Sequence, residues 1–180
     1  EAFALLIERD HGDGFANPSS THKAGRAAAA AVEVARDQVA ALLPPGGRVY
    51  FTSGATEALN WALLRGAAVM PGGVAGLSIE HAAALQCLDR LGATMLPVDG
   101  DGLALPPDAA MLPERGIVAT MLVNNEVGTI QPVADFAAAA HERGSLLLCD
   151  VVQGFGRMAI PAGPDLIAVS AHKIHGPKGI

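Results

Sequence analysis

The chain has 180 residues, of which 51% are hydrophobic and 17% charged, and its formal net charge is -6. A chain of this length buries about 70% of its unfolded surface in one core, and the composition is typical of a buried sheet covered by helices. The negative charge and the lack of any Lys/Arg run argue against nucleic acid as a partner. No apolar stretch approaches the ~20 residues of a spanning helix. The sequence therefore predicts an α/β domain that binds neither nucleic acid nor membrane.

The cysteines and the two ends of the chain suggest a location and a context. Two cysteines cannot form a disulfide framework, and no basic segment followed by an apolar run and a cleavage site is present. We therefore expect a reducing, cytoplasmic environment. Because the chain starts at Glu1 rather than Met and stops at Ile180, where a strand would normally begin, we expect it to be a segment of a longer protein.

Apolar runs of strand length alternate with helical patterns along the chain. A turn at Asn17–Ser20 precedes a helical pattern over Lys23–Leu43, which Pro44–Gly47 ends. Alternation of this kind is typical of a mostly parallel sheet covered on both faces, a three-layer α/β sandwich. The later predicted helices are Glu57–Leu64, Ala82–Leu91 and Val133–Arg143, and the predicted strands are Val49–Thr52, Gly76–Ile79, Thr94–Val98, Ile117–Val123, Leu146–Cys149 and Leu166–Val169.

Polar clusters follow five of the six predicted strands. In an open α/β sheet, ligands bind outside the carboxyl ends of the strands. We therefore expect these clusters to converge on one site. They are Ser53–Glu57, Glu80–His81, Asn124–Gly128, Asp150–Gln153 and Ser170–Lys173.

The first cluster predicts an anion site. Ser53–Thr56 lies between a predicted strand and a predicted helix, so backbone N–H groups and a hydroxyl gather at the positive end of the helix dipole. An ordinary capped helix start is the alternative for such a segment. The Gly-x4-Gly-Lys-Ser/Thr spacing of a nucleotide P-loop is absent, so a monophosphate fits better than a triphosphate.

Lys173 and Asp150 each follow a buried strand. At the mouth of the sheet, partial burial would lower the proton affinity of Lys173 and make its amine a nucleophile for an aldehyde cofactor; the alternative is a solvated lysine at a strand end. A carboxylate at Asp150 needs a cation or donors, which a protonated pyridine nitrogen would supply. Its alternative is an Asp that caps the next segment.

Three further side chains complete the candidate site. His81 could stack on a flat ring or move a proton, although a helix cap is the alternative. Gln153 and Asn125 are neutral amides that could orient a phenolate or a carboxylate, or could simply belong to turns. Together with the anion site, Lys173 and Asp150, they form the set that binding of pyridoxal 5'-phosphate (PLP) requires. No metal site is predicted, because the His and Cys residues lack the paired spacing of zinc ligands.

On these residues the chain resembles the NifS/IscS-like cysteine desulfurases of the class V aminotransferases, in order and over nearly its whole length. The resemblance implies the large domain of the PLP-dependent transferase fold, fold type I, with residues 1–180 as an incomplete PLP-binding domain and the C-terminal small domain absent. The shared runs are Asn17–Ser20 with His22 and Gly25–Arg26, Phe51–Glu57, Ile79–His81, Asn124–Pro132, Asp150–Gln153 with Gly156, and Ser170–Gly179.

The resemblance also implies residue roles. Lys173 would bind the cofactor aldehyde and remove the Cα proton of L-cysteine, Asp150 would pair with the pyridine nitrogen, and His81 would stack on the ring and assist proton transfer. Gln153 would hold the ring oxygen, and Asn125 would lie near the substrate carboxylate. A mobile cysteine would then take the sulfur as a persulfide and leave L-alanine. The phosphate would be held by Ala55, Thr56, Ser170 and His172.

The resemblance further implies a homodimer, a sulfur-acceptor protein and a role in iron–sulfur cluster assembly. In the family the mobile cysteine and the substrate-carboxylate arginine are not supplied by this segment, and Cys87 and Cys149 are expected to be small buried hydrophobes. The family sheet has a further antiparallel strand after Gly179, between the strands that lead to Lys173 and to Ser53. We therefore expect the isolated chain to be poorly stable and inactive; cooperative unfolding together with sulfide release would refute this.

Two alternatives to a cysteine desulfurase remain open. Another class V enzyme, such as a selenocysteine lyase, a kynureninase or an aminotransferase, would share the cofactor site but lack a reactive cysteine on a flexible loop. A non-enzymatic paralogue is disfavoured because every cofactor contact sought is present. Val151 stands where the family commonly has a smaller alanine beneath the ring.

Overall fold

A computed structural model describes residues 16–176 and 178, and the chain divides into two units, Glu1–Tyr50 and Phe51–Ile180. The described part of the first unit contains a turn and one long helix. The backbone N–H of Ser20 donates to the carbonyl of Asn17 at 2.9 Å, which confirms the predicted turn. Helix α1 spans Lys23–Ala40 and begins at His22, so the predicted helix is confirmed but ends before Leu43.

The second unit holds a five-stranded, all-parallel sheet. The strands are β1 Val74–Leu77, β2 Thr94–Leu96, β3 Ile117–Met121, β4 Leu146–Asp150 and β5 Leu166–Ala168. The strand order is β2-β1-β3-β4-β5, so β3 is the central strand, with β1 and β2 on one side of it and β4 and β5 on the other. The helices are α2 Ala55–Val69, α3 Ala82–Arg90 and α4 Val133–Glu142, with short 3-10 helices at Ala109–Met111 and Ala171–Ile174.

Helices cover both faces of this sheet. Leu59 and Leu63 of α2 and Leu88 of α3 join one buried cluster with Ile117 and Leu148 of the sheet. Because successive strand residues point to opposite faces, the alternate positions of β3 and β4 pack on the other side, where α4 contacts both strands. The predicted α/β architecture with a parallel sheet covered by helices is confirmed.

One predicted strand is wrong. Residues 49–52 form no strand, and the sheet of the described residues has only the five strands given above. A strand requires a hydrogen-bonded neighbour, and the resemblance places the neighbour of this run after Gly179. The apolar run at residues 49–52 predicted a strand, but a local pattern does not show whether another strand lies beside it.

Gly66 sets how closely α2 approaches the sheet. It is buried in the last turn of the helix, and a Cβ at this position would overlap the side-chain end of Ile117 in the core of β3. Any larger side chain would push the helix away from the sheet or displace Ile117. The depth of α2 therefore depends on a residue that has no side chain.

Among residues 16–176 and 178, no helix combines the length and the hydropathy that crossing a membrane requires.

Candidate active site

An open cleft of about 580 Å³ lies at the carboxyl ends of β1, β3, β4 and β5. The parallel register aligns these ends, since Met121 of β3 pairs with Asp150 of β4, and Asp150 with Ala168 of β5. The convergence of the predicted residues is therefore observed, whereas their individual roles remain predictions. All nine predicted site residues line the cleft: Ala55, Thr56, His81, Asn125, Asp150, Gln153, Ser170, His172 and Lys173.

The N-terminal turn of α2 presents backbone donors to the cleft. Its N-cap is Gly54 with φ 147° and ψ 176°, a conformation that is open essentially only to glycine. No side chain caps the helix there. None of the hydrogen bonds among the described residues uses the N–H groups of Ala55 and Thr56. These donors and the helix dipole together favour a bound anion.

Glu57, in the first turn of α2, holds this turn in place and also lines the cleft. Its Oε2 accepts from the backbone N–H of Ser53 at 2.6 Å and from the Ser53 hydroxyl at 2.7 Å. These hydrogen bonds, the hydroxyl first, lower the pKa of Glu57. The carboxylate therefore holds the segment before the helix and leaves the first helical N–H groups to a ligand.

Asp150 is a buried acid at the end of β4, with an exposed fraction of 6%. Its Oδ1 accepts the N–H of Val152 at 2.9 Å, and no hydrogen bond among the described residues involves its Oδ2. Burial raises the pKa of Asp150, whereas the Val152 N–H and His81 lower it. Asp150 therefore makes the capping contact that was the alternative prediction, and it is also a buried acid that needs a partner from the cleft.

His81 is both a helix cap and a cleft residue. It is the N-cap of α3, where its Nδ1 accepts the N–H of Ala83 at 3.1 Å. In the neutral ring, this bond leaves the proton on Nε2. The alternative anticipated from the sequence, a helix cap, is therefore correct, and it fixes the ring at the edge of the cleft.

Lys173 lies on the 3-10 helix Ala171–Ile174, beyond the end of β5. Its side chain is exposed, so the expected partial burial is wrong. The strand ends at Ala168, and the short helix carries Lys173 away from the core into an open cleft. Beside it, the buried Ser170 hydroxyl and Nδ1 of the exposed His172 share a hydrogen bond of 2.7 Å.

The two predicted amides sit in different surroundings. Gln153 is half-buried, and Asn125 is exposed at the rim. The preceding residue, Asn124, was not predicted as a site residue, yet it organises this loop. Its Nδ2 donates to the carbonyl of Ile79 at 2.9 Å, and its Oδ1 accepts from the N–H of Glu126 at 2.9 Å. In the sequence, the only sign of this role of Asn124 is that it stands next to a second asparagine, Asn125.

The structure also adds one lysine and corrects the expected place of one core residue. Lys178 lines the cleft, although only its nearness to Lys173 in the sequence suggested it. Val151 is fully buried, and the neighbouring Val152 lines the cleft instead. At this position the larger side chain packs into the core.

Glu80 belongs to a predicted polar cluster, but its burial was not predicted, and it is not among the residues that line the cleft. It is 4% exposed, and its Oε1 is a buried oxygen without a hydrogen-bond partner among the described residues. Burial, and next the charge of Asp150, raise the pKa of Glu80 well above its usual range. An acid placed directly before His81 at a strand end was the available signal.

We expect Glu80→Gln to stabilise the apoprotein by an amount that grows with pH. Because folding raises the pKa of Glu80, its contribution to stability is complete below the usual pKa of glutamate and is lost as pH rises toward the folded pKa. The neutral amide carries no such loss. Melting temperatures of both proteins at about pH 5 and about pH 8 would measure this. Glu142→Gln, at an exposed position of α4, is the control, and an equal difference at both pH values would contradict the expectation.

Both cysteines are buried, as expected. Cys87 lies in α3 and Cys149 in β4, and burial raises the pKa of each thiol. A thiolate is the reactive form of cysteine. Neither residue therefore has the surroundings of a sulfur acceptor.

Comparison with known proteins identifies the family to which the chain is similar. The model of the aminotransferase class-V family matches residues 7–180. The chain is 40% identical over 181 residues to a cysteine desulfurase of Cereibacter sphaeroides, which covers 92% of the chain and 47% of that protein. It is 37% identical over 180 residues to the cysteine desulfurase IscS of Dictyoglomus turgidum, with 92% and 46% covered.

Solved structures agree with the sequence relatives. A NifS-like protein shares 31% identity with a TM-score of 0.84 and covers 99% of this chain and 53% of its own. A structure described as SspA in complex with cysteine shares 27% identity with a TM-score of 0.82, and 99% and 56% are covered. The chain spans about half the length of these relatives. From the family match over residues 7–180 and the shared architecture, this chain belongs to the class V aminotransferase family.

Proposed function

We propose that this chain is the cofactor-binding part of a cysteine desulfurase that uses PLP. The observation that carries the proposal is that Lys173, Asp150 and the N-terminal turn of α2 line the same cleft. The relatives named cysteine desulfurase support the reaction class, since each matches more than nine-tenths of the chain.

The residues of the cleft fit PLP in three ways. Asp150 is a buried acid that lines the cleft; burial raises its pKa, and a cationic partner such as a protonated pyridine nitrogen would favour its charged form. The first turn of α2 offers N–H groups that suit a phosphate. Lys173 provides an exposed amine for the aldehyde. When bound, PLP supplies a ring that withdraws electrons from the Cα atom of an attached amino acid.

The remaining residues orient the substrate and the ring. We assign Gln153 to the ring oxygen and Asn125 to the substrate carboxylate, since both amides line the cleft. Ser170 and His172, which share a hydrogen bond, would join Ala55 and Thr56 in holding the phosphate. His81 would lie against the ring, with Nε2 available for proton transfer because Nδ1 is engaged by Ala83.

In the proposed reaction, Lys173 moves the proton. With L-cysteine bound in the cleft, Nζ of Lys173 would be free to accept the Cα proton of the substrate. The substrate C–S bond would break as an S–S bond forms to a cysteine thiolate; the proton of the substrate thiol would pass to Cβ, and Nζ of Lys173 would return its proton to Cα, which gives L-alanine and a persulfide. No external oxidant is needed, because the electrons that the sulfur loses are gained by Cβ of the substrate. We assign that thiolate to a cysteine outside the described residues, because Cys87 and Cys149 are both buried.

We also propose the wider setting that the resemblance implies. The protein would act in the cytoplasm as a homodimer and pass sulfur to an acceptor protein in iron–sulfur cluster assembly. Relatives that carry the name IscS support this setting. Native mass spectrometry of the full-length protein tests the dimer, and a monomer at micromolar concentration would contradict it.

Product analysis tests the reaction. The full-length protein with PLP, L-cysteine and a thiol reductant should form L-alanine and sulfide in equal amounts. Parallel reactions should contain L-selenocysteine, L-kynurenine, or L-cysteine with a 2-oxo acid. Turnover of one of these without sulfide release from L-cysteine would indicate another class V enzyme, and failure to bind PLP covalently would leave the non-enzymatic paralogue.

Gly54→Ala tests the proposed phosphate site. The open space around Gly54 means that the cost is one of backbone conformation, about 1–3 kcal/mol, and a shifted turn misaligns the N–H groups of Ala55 and Thr56. We expect about tenfold weaker PLP binding, measured by fluorescence titration of the apoprotein. Gly47→Ala is the matched control, because its surroundings are equally open and its φ is not positive. Equal affinity in both variants would contradict the assignment.

A further inference from the structure

Two loops of the cleft are joined by one guanidinium that the roles above do not use. Arg157 lies in the turn after β4 and donates Nη1 to the carbonyl of Gln153 at 2.9 Å and to the Gln153 Oε1 at 3.4 Å. Its Nη2 donates to the carbonyl of Lys173 at 3.0 Å. A single planar group thus reaches two residues that are twenty positions apart in sequence and belong to different strand ends.

The turn that carries Arg157 is itself well fixed. Gly154 and Phe155 are buried, and their N–H groups both donate to the carbonyl of Val151, at 2.9 and 2.7 Å. The N–H of Arg157 donates to the carbonyl of Gly154 at 3.0 Å. Because the backbone is anchored in the core, the exposed guanidinium extends from a rigid base.

The segment that carries Lys173 has fewer restraints. The 3-10 helix Ala171–Ile174 has no side-chain cap, and its amide at Gly176 returns to the carbonyl of Ala171 rather than to that of Lys173. Within residues 16–176 and 178, Arg157 is the donor that the Lys173 carbonyl accepts from. A Cβ added to Gly156 would lie 3.3 Å from the Ile174 γ-methyl, so the turn runs close beside this helix.

We propose that Arg157 is a positioning residue that fixes the spacing between Gln153 and Lys173. This inference rests on the proposed function. The oxygen and the aldehyde of PLP occupy neighbouring carbons of one ring, so an amide for the oxygen and an amine for the aldehyde must be held at a set separation. Arg157 bonds to the backbone of both residues and so ties the two loops to each other rather than to the ligand.

The test compares Arg157→Met and Arg157→Lys with a matched control in the full-length protein. Arg143→Met is the control: Arg143 donates Nε to the carbonyl of Leu112 at 2.8 Å, so it also ties two loops together, but these precede β3 and β4 at the opposite end of the sheet. Apoprotein is mixed with PLP, and samples are reduced with borohydride at intervals to measure how fast the adduct on Lys173 forms. The pH midpoint of the absorbance band of the unreduced adduct is measured as well.

Arg157→Met should slow adduct formation about tenfold, since hydrogen bonds from a charged group are lost, and should shift the pH midpoint. Arg157→Lys, which keeps one cationic donor, should fall between Arg157→Met and the unaltered protein. Arg143→Met should lower the melting temperature without either effect. Unchanged adduct kinetics in Arg157→Met, or an equal slowing in Arg143→Met, would overturn the inference while leaving the proposed function intact. If the unaltered protein forms no adduct on Lys173, both fail together.

Discussion

Replacement of Lys173 by alanine should abolish covalent PLP binding and lower turnover of L-cysteine by on the order of 10³-fold or more. The chain has three lysines, at positions 23, 173 and 178. Lys173 sits on the 3-10 helix at the mouth of the cleft, and its amine is the group assigned to the cofactor aldehyde. Borohydride reduction followed by peptide mass mapping should place the adduct on Lys173, and sulfide release measures turnover.

The other two lysines provide the controls. Lys178→Ala removes the second lysine of the cleft and should retain the adduct on Lys173. Lys23→Ala, at an exposed position at the start of α1, should retain both the adduct and the turnover. An adduct that persists in Lys173→Ala, or one that maps to Lys178 in the unaltered protein, would reject the assignment.

Asp150→Asn should separate activity from stability. The amide preserves the shape of the side chain but cannot hold a proton on the pyridine nitrogen as a carboxylate does. We expect kcat to fall by on the order of 10²-fold or more. Since burial raises the pKa of Asp150, removing the acid should leave the melting temperature of the apoprotein unchanged or raise it above neutral pH.

A second acid serves as the comparison for Asp150→Asn. Asp89→Asn, at an exposed position of α3, changes one carboxylate to an amide outside the cleft and should alter neither property. Full activity in Asp150→Asn would remove the ring-nitrogen contact from the proposal. A large loss of stability would instead give Asp150 a structural role through its bond to Val152.

The strand ends were predictable because their signal is local. A buried parallel strand is apolar throughout, so the first polar residue after it marks the edge where side chains converge. Asp150 and His81 were found in this way, and the structure places both in the cleft. The same reasoning produced the wrong strand at residues 49–52, because a strand also depends on a neighbour that a local pattern does not contain.

Contacts between distant loops were not predictable. Nothing near Arg157 in the sequence indicates that its guanidinium reaches the carbonyl of Lys173. The burial of Glu80 and the exposure of Lys173 likewise depend on how far each strand continues before the chain turns. The residue types indicated the chemistry of the site. The burial of each side chain and the contacts between loops could be known only from the three-dimensional structure.

Because Gly66 has no side chain, a position far from the cleft determines where the N-terminal turn of α2 lies. About 15 Å of helix separate Gly66 from Thr56, yet both belong to the one continuous helix α2. A methyl group added where α2 touches Ile117 would tilt that helix and swing its far tip away from the strand ends. Random mutagenesis should therefore find substitutions of Gly66 among those that weaken anion binding at the N-terminal turn of α2, although residue 66 does not contact the ligand.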